Sequence, residues 1–155
     1  MSEFWRCVTK WFLGWLDLGP HFIVGAPGDP YLLRWYIIPR NPWCCIYLHK
    51  FVRDDDDRAR HDHPWASFSL LLHGQYIEET KEGRTMYRPG AVRWRSAAFS
   101  HRVELPQGKP AWTLFITGPR EREWGFHCPK GWVPWRDFVD VTDTGNVGRG
   151  CGEYA

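Results

Sequence analysis

Between residues 31 and 117 the chain divides into short runs rich in Tyr, Ile, Leu, Val and Trp, with turn signals or charged loops between them. The runs cover residues 31–39, 43–52, 63–72, 75–80, 85–87, 91–95, 101–105 and 112–117. His73-Gly74, Lys81-Glu82-Gly83, Arg88-Pro89-Gly90 and Pro106-Gln107-Gly108 separate several of them. No helical spacing of apolar residues intervenes, so the segments cannot be the strands of a βαβ sheet. Strands this short and this numerous predict an all-β sandwich or closed barrel. At 155 residues the chain fits one domain, and its eleven Trp supply apolar area for a packed core.

The flanks read differently. Phe4, Trp5, Val8, Trp11, Phe12, Trp15 and Leu16 recur at steps of three and four, and Gly19-Pro20 ends the pattern. Residues 1–20 are therefore expected to hold an N-terminal amphipathic helix, packed on the barrel wall, with a homodimer contact or a membrane-surface helix as the alternatives. Residues 29–139 form the barrel. Its last part, residues 118–139, carries Pro119, Pro129 and Pro134 with Trp124, Trp132 and Trp135 and is expected to wrap aromatics around the outside. Residues 140–155 are glycine-rich and nearly free of apolar side chains, as in a flexible tail.

Charge and cysteine usage narrow the function. A formal net charge of +2 argues against a general nucleic-acid binder. No basic region precedes an apolar run at Met1-Ser2-Glu3, and residues 11–16 are too short to cross a bilayer, so no membrane association and a cytoplasmic location are expected. The five cysteines, Cys7, Cys44, Cys45, Cys128 and Cys151, are odd in number and scattered. Free thiols in a reducing compartment are the expectation. Without a CxxC there is no support for a thiolate zinc site.

His61-Asp62-His63 carries the chemistry. Alternate residues of a strand share a face, so His61 and His63 can offer imidazole nitrogens to one ion. Ser67 falls on that face if the strand stays regular. His101, which opens a later strand, is placed to supply a third imidazole.

His61-x-His63, three residues, Ser67, six residues, Gly74 resembles the first motif of the cupin superfamily, in which a glutamate stands where this chain has Ser67. Gly83, five residues, Pro89-Gly90 and then His101 resembles the second. The string His61-Asp62-His63-Pro64-Trp65 is also similar to cupin-like proteins met in bacteriophage and bacterial genomes. The resemblance implies a cupin double-stranded β-helix, or jelly roll, with His61, His63 and His101 as ligands of a divalent transition metal. Iron(II) is the first expectation, with manganese or zinc as alternatives. Three departures stand out. Serine replaces the glutamate ligand, the second motif is stretched before His101, and the glycine that usually precedes the first histidine is replaced by Asp55. A three-His site is therefore expected, with Ser67 turned toward the metal without ligating it. Glu78 or Glu79 remains a possible carboxylate ligand from the next strand.

Other residues are candidates for lesser roles. Arg93 and Arg95 share a strand face and, if that face is inward, can bind a substrate carboxylate or phosphate. The aspartates at 54–57 lack calcium-loop spacing and read as a solvated loop. His127-Cys128 reads as structural, and His21, His49 and His73 carry no spacing signal. The functional expectation is an iron-dependent oxygenase or dioxygenase of a small molecule. Its alternatives are a metal-free sugar-nucleotide epimerase or isomerase, using a histidine base with Tyr76 or Tyr87 as acid, and a non-catalytic, phage-associated ligand-binding module.

Overall fold

The computed structural model describes residues 14–26, 28–55, 59–140 and 148–152. Among them are twelve strands. They are β1 (Phe22–Ala26), β2 (Asp29–Tyr36), β3 (Cys45–Phe51), β4 (Arg60–His61), β5 (Ser67–His73), β6 (Tyr76–Thr80), β7 (Gly83–Tyr87), β8 (Val92–Arg95), β9 (Arg102–Glu104), β10 (Ala111–Thr117), β11 (Gly125–Cys128) and β12 (Gly131–Pro134). One sheet runs β1-β2-β3-β10-β5-β8, and two three-stranded sheets run β12-β11-β4 and β7-β6-β9. An antiparallel bridge between His61 and His101 joins the two smaller sheets into a second face. Two antiparallel faces with a cavity between them are the jelly roll that the strand pattern predicts.

Two apolar clusters form the core, one between the faces and one between the outer hairpin and the short helix that follows it. Leu71, Tyr76, Val103, Leu105 and Ala111 form one. Ala59, Phe126, Phe138 and Val139 form the other, with the Phe126 and Phe138 rings stacked. Gly74 sits between β5 and β6 at φ 79°, a left-handed turn, where a side chain would also collide with the carbonyl of Pro110.

Residues 14–17 are helical, and Trp15 reaches Trp35, which stacks on Trp112 of the large sheet. The remainder of the expected N-terminal helix lies outside the described residues. The aromatic wrap at 118–139 is not irregular: it is the hairpin β11–β12 followed by a short helix, α1 (Trp135–Phe138), and β11 extends the second face by pairing with β4.

The cysteines are not all free thiols, contrary to expectation. Cys128 and Cys151 are joined by a disulfide, while Cys44 and Cys45 are free. A separation of 23 residues hides this pair in the sequence. It forms because Gly148 and Gly150 donate their backbone N–H groups to the carbonyl of Phe138, which folds residues 148–152 onto the wrap rather than leaving them as tail.

The wrap has one buried polar anchor. Asp62, whose side chain is 1% exposed, accepts hydrogen bonds from Gly125 N at 2.9 Å, His127 Nε2 at 3.0 Å and Trp132 Nε1 at 3.0 Å, and pairs with Arg122 at 2.7 Å. Burial alone would push its carboxyl up. The hydrogen bonds from Arg122, Gly125 and His127 outweigh that and hold it below the usual carboxylate range. Gly125 has no room for a side chain against Val133 and the Trp132 ring, so its N–H can approach this closely. Replacing Asp62 by Ala orphans four donors, those of Arg122, Gly125, His127 and Trp132. The expected loss is about 3–5 kcal/mol, or a fall of roughly 10 °C in Tm by thermal unfolding. Asp29→Ala, which removes the exposed partner of Arg53, should change stability by less than about 1 kcal/mol. Equal effects of the two substitutions would refute the anchoring role.

Candidate metal centre

The His61–His101 bridge places two imidazoles side by side. Each residue donates its backbone N–H to the other's carbonyl at 2.9 Å, and the rings lie 5.2 Å apart between centroids. His63 follows as the chain leaves β4, with its backbone N–H bonded to Ala97 O, and its ring is 5.1 Å from both other imidazoles. One donor atom from each of the three lies within 4.8 Å of the others, and this is the metal-ligating cluster found among the described residues. The His63 and His101 Nε2 atoms are 2.9 Å apart. Two nitrogens about 2.1 Å from a shared ion at a right angle would be roughly 3.0 Å apart, so the residues fit a transition metal.

Two carboxylates orient these rings from behind. Glu78 Oε1 lies 2.7 Å from His101 Nδ1 and its other oxygen binds Arg95, while Asp55 Oδ2 lies 3.2 Å from His61 Nδ1. At His101 the hydrogen-bonded carboxylate holds the proton on Nδ1 and leaves Nε2 as the lone-pair donor. Burial lowers the pKa of His101 against the pull of Glu78. Burial and the neighbouring imidazoles push His63 well below its ordinary value. Both rings are therefore neutral, the form that ligates metal, at pH 7.

The cluster opens on a cavity of about 390 Å³. Phe22, Trp65, Phe115, Trp124, Phe126 and Trp135 supply much of its wall, while Arg34, His49, Arg53 and Asp55 add polar groups. Trp65 and Phe115 pack against His63 at 5.0 and 6.4 Å, which keeps water from its ring.

The other sequence candidates fall elsewhere. Tyr76, Arg93 and Arg95 line a separate space of about 40 Å³ behind His101, together with Ser67 and Glu78. Arg95 is committed to Glu78, and Arg93 lies over the Tyr87 ring at 3.7 Å. Tyr76 is buried in an apolar cluster, and burial followed by the nearby Glu78 charge raises its pKa. Ser67 does not share the histidines' strand. β4 ends at His61, residues 62–66 turn, and β5 begins at Ser67, so the alternation that would aim the serine at the metal is broken. Glu78 enters the site as the support of His101, a role its sequence position alone does not reveal. The acidic run is likewise not wholly solvated: Asp55 is buried, and Asp54 accepts the backbone N–H of Leu105. Residues 56–58 lie outside the described residues. Arg34 and His49 escape sequence reasoning altogether. Their signal is a charged and a titratable side chain at inward alternate positions of otherwise apolar strands.

No protein-family model and no curated protein sequence matches the chain. Solved structures do. Fe(II) HppE superimposes with a TM-score of 0.54 at 16% identity, covering 65% of this chain and 57% of that one. An RmlC-like cupin protein from Ralstonia eutropha JMP134 gives 0.51 at 19% identity, covering 74% and 73%. A cupin-superfamily sugar phosphate isomerase from Silicibacter pomeroyi DSS-3 gives 0.51 at 14%, covering 66% and 74%. At these identities the likeness shows the fold, which is the cupin double-stranded β-helix.

Glu78→Gln keeps the shape of the support and removes its charge. Metal affinity should fall about 10–100-fold by competitive titration, while Ser67→Ala, which removes no ligand atom, leaves it unchanged. Affinity untouched in the Gln variant would show that the carboxylate does not hold His101. A second expectation concerns the metal-free protein. His49, His63 and His101 all have folded pKa values below those of the unfolded chain. Below about pH 6.5 the unfolded chain binds protons that the folded one refuses. Stability is thus full above that pH and falls as the solution is acidified, by up to about 1.4 kcal/mol per pH unit for each histidine. Urea unfolding of chelator-treated protein at pH 7.5 and 5.5 checks this, and equal stability at the two values would contradict it.

Proposed function

We propose that this chain is a metal-dependent cupin oxygenase that holds one iron(II) on His61, His63 and His101 and oxidises a small organic molecule in the adjoining cavity. The observation that carries the reading is the convergence of three imidazoles, two of them with Nδ1 beside a carboxylate. No Asp or Glu oxygen joins that ligand cluster among the described residues. When bound, iron(II) supplies redox chemistry toward dioxygen at coordination positions that three imidazoles leave vacant. Glu78 holds a proton at His101 Nδ1 and keeps its ligand nitrogen basic, while the Asp55 carboxylate stands 3.2 Å from His61 Nδ1 as a nearby negative charge. Trp65, Phe115, Trp124 and Phe126 exclude water from the ring of donors and give a substrate an apolar bed. Likeness to an Fe(II) protein of the same fold supports iron among the candidate metals. The metal-free isomerase reading is less well supported, because Tyr76 and Tyr87, its acid candidates, do not line the histidine cavity.

Protein purified without oxygen should contain about one equivalent of iron per chain, or take it up from iron(II) salt, by elemental analysis. Adding nitric oxide, a dioxygen surrogate, should give the half-integer-spin resonance of an iron nitrosyl, which reports a vacant coordination position. The His61→Ala, His63→Ala double variant should lose both the iron and the signal. Full metal content in that variant would overturn the site, and bound iron without a nitrosyl signal would overturn the oxygenase reading.

A further inference from the structure

We infer that Arg34 is the anchor of a monoanionic ligand, so that the molecule received by the cavity carries one carboxylate on an apolar, aromatic-compatible body. This rests on the reading of the cavity as a substrate site and names the class of molecule that fits it.

Arg34 on β2 stands directly opposite His49 on β3. Its Nε donates to His49 Nε2 at 2.8 Å, and its guanidinium lies over the rings of Tyr47 at 4.6 Å and Phe22 at 5.8 Å. No Asp or Glu among the described residues pairs with it. Arg95, Arg102 and Arg122 by contrast have Glu78, Glu104 and Asp62. His49 cannot neutralise Arg34. It is 3% exposed, and burial together with the Arg34 charge keeps its imidazole neutral, so it serves only as an acceptor that fixes Nε. A guanidinium cannot shed its proton, and a half-buried charge at a cavity wall favours a counterion. With Nε used by His49, the two terminal nitrogens are left for a planar, bidentate partner, which a carboxylate supplies.

Arg34 by itself balances one negative charge, and the other side chains at the cavity add no further unpaired cation among the described residues. Arg53 is already paired with Asp29, and Asp55 adds a negative group near His61. A path also leads from the anchor to the histidines. His49 stacks on Phe115 at 4.9 Å, and Phe115 touches His63 at 6.4 Å. A carboxylate held on Arg34 therefore extends its carbon body over Phe115 toward His63. At about 390 Å³ the space lies near the lower end of the roughly 300–1,000 Å³ usual for ligand pockets, so the body is small.

The test uses the full chain, both zinc-loaded and chelator-treated, titrated with phenylacetate, phenylacetamide and phenylphosphonate. Calorimetry and the fluorescence of the cavity tryptophans give the affinities. Phenylacetate should bind at least about tenfold tighter than its amide, a difference of about 1.4 kcal/mol, in both metal states. Arg34→Gln should erase that preference, and Arg34→Lys should restore part of it. The parent comparison of acid with amide needs no variant and stands even if Arg34→Gln fails to fold. Equal binding of acid and amide by the parent overturns the proposal, as does an undiminished preference in a folded Arg34→Gln protein. Tighter binding of phenylphosphonate overturns the single charge. A preference that survives in the His61→Ala, His63→Ala variant and disappears with Arg34→Gln supports the anchor even where the metal reading has failed. A preference seen only in zinc-loaded protein and retained in Arg34→Gln places the carboxylate on the metal, which overturns the anchor and leaves the metal centre standing.

Discussion

Two reciprocal backbone hydrogen bonds between His61 and His101 are the joint on which this molecule depends. Without them β4 with its hairpin, and β9 with β6 and β7, would be two small separate sheets. With them the second face of the jelly roll is continuous. The same pair brings into register two imidazoles that are far apart in the chain. Closure of the barrel and assembly of the ligand set are therefore one event, and neither face could be rearranged without dismantling the other's contribution to the site.

The cavity is a compromise between apolar packing and a few polar groups that must be neutralised one by one. Each group behind the histidines has a specific partner: Glu78 for His101, Asp55 for His61, Arg95 for Glu78. Asp62 faces away from the cavity and fastens the outer hairpin. The carboxylates thus act at one remove, orienting rings and holding strands, and leave the inner surface to neutral imidazoles and aromatic rings. Arg34 departs from that pattern: no Asp or Glu among the described residues pairs with it, and this distinguishes its end of the cavity.

Much of this was legible in the sequence, and the reasons are particular. Runs of β-formers with glycine turns marked eight of the strands, and Gly74 was readable because only glycine suits that left-handed turn. The spacing of His61 and His63 was readable because strand alternation is local. Other features are not local. Ser67 begins a different strand from the histidines, and the signal for that break in the sequence is Pro64, which the regular His-x-His spacing outweighs. Glu78 and Asp55 were ambiguous because a carboxylate that supports a histidine and one that ligates a metal look alike until distances are known. The hairpin β11–β12 was hidden by its prolines, one of which, Pro134, sits at the end of the edge strand where a missing N–H costs least. The Cys128–Cys151 pairing depended on a chain reversal that no short-range signal announces.

The alternation of His61, Asp62 and His63 has a consequence for how such a sequence can vary. The two imidazoles point to the cavity and the carboxylate between them to the outer hairpin, so the tripeptide can be read in a single phase. Inserting or deleting one residue just before Arg60 would turn every side chain of the segment over. The carboxylate would then enter the aromatic cavity, and two histidines would face Trp132 and Arg122, which need an acceptor. Length changes in the preceding acidic loop are thus harmless only when the loop itself absorbs them and leaves the strand in phase, and the histidine string should keep its place against His101 while the loop ahead of it drifts.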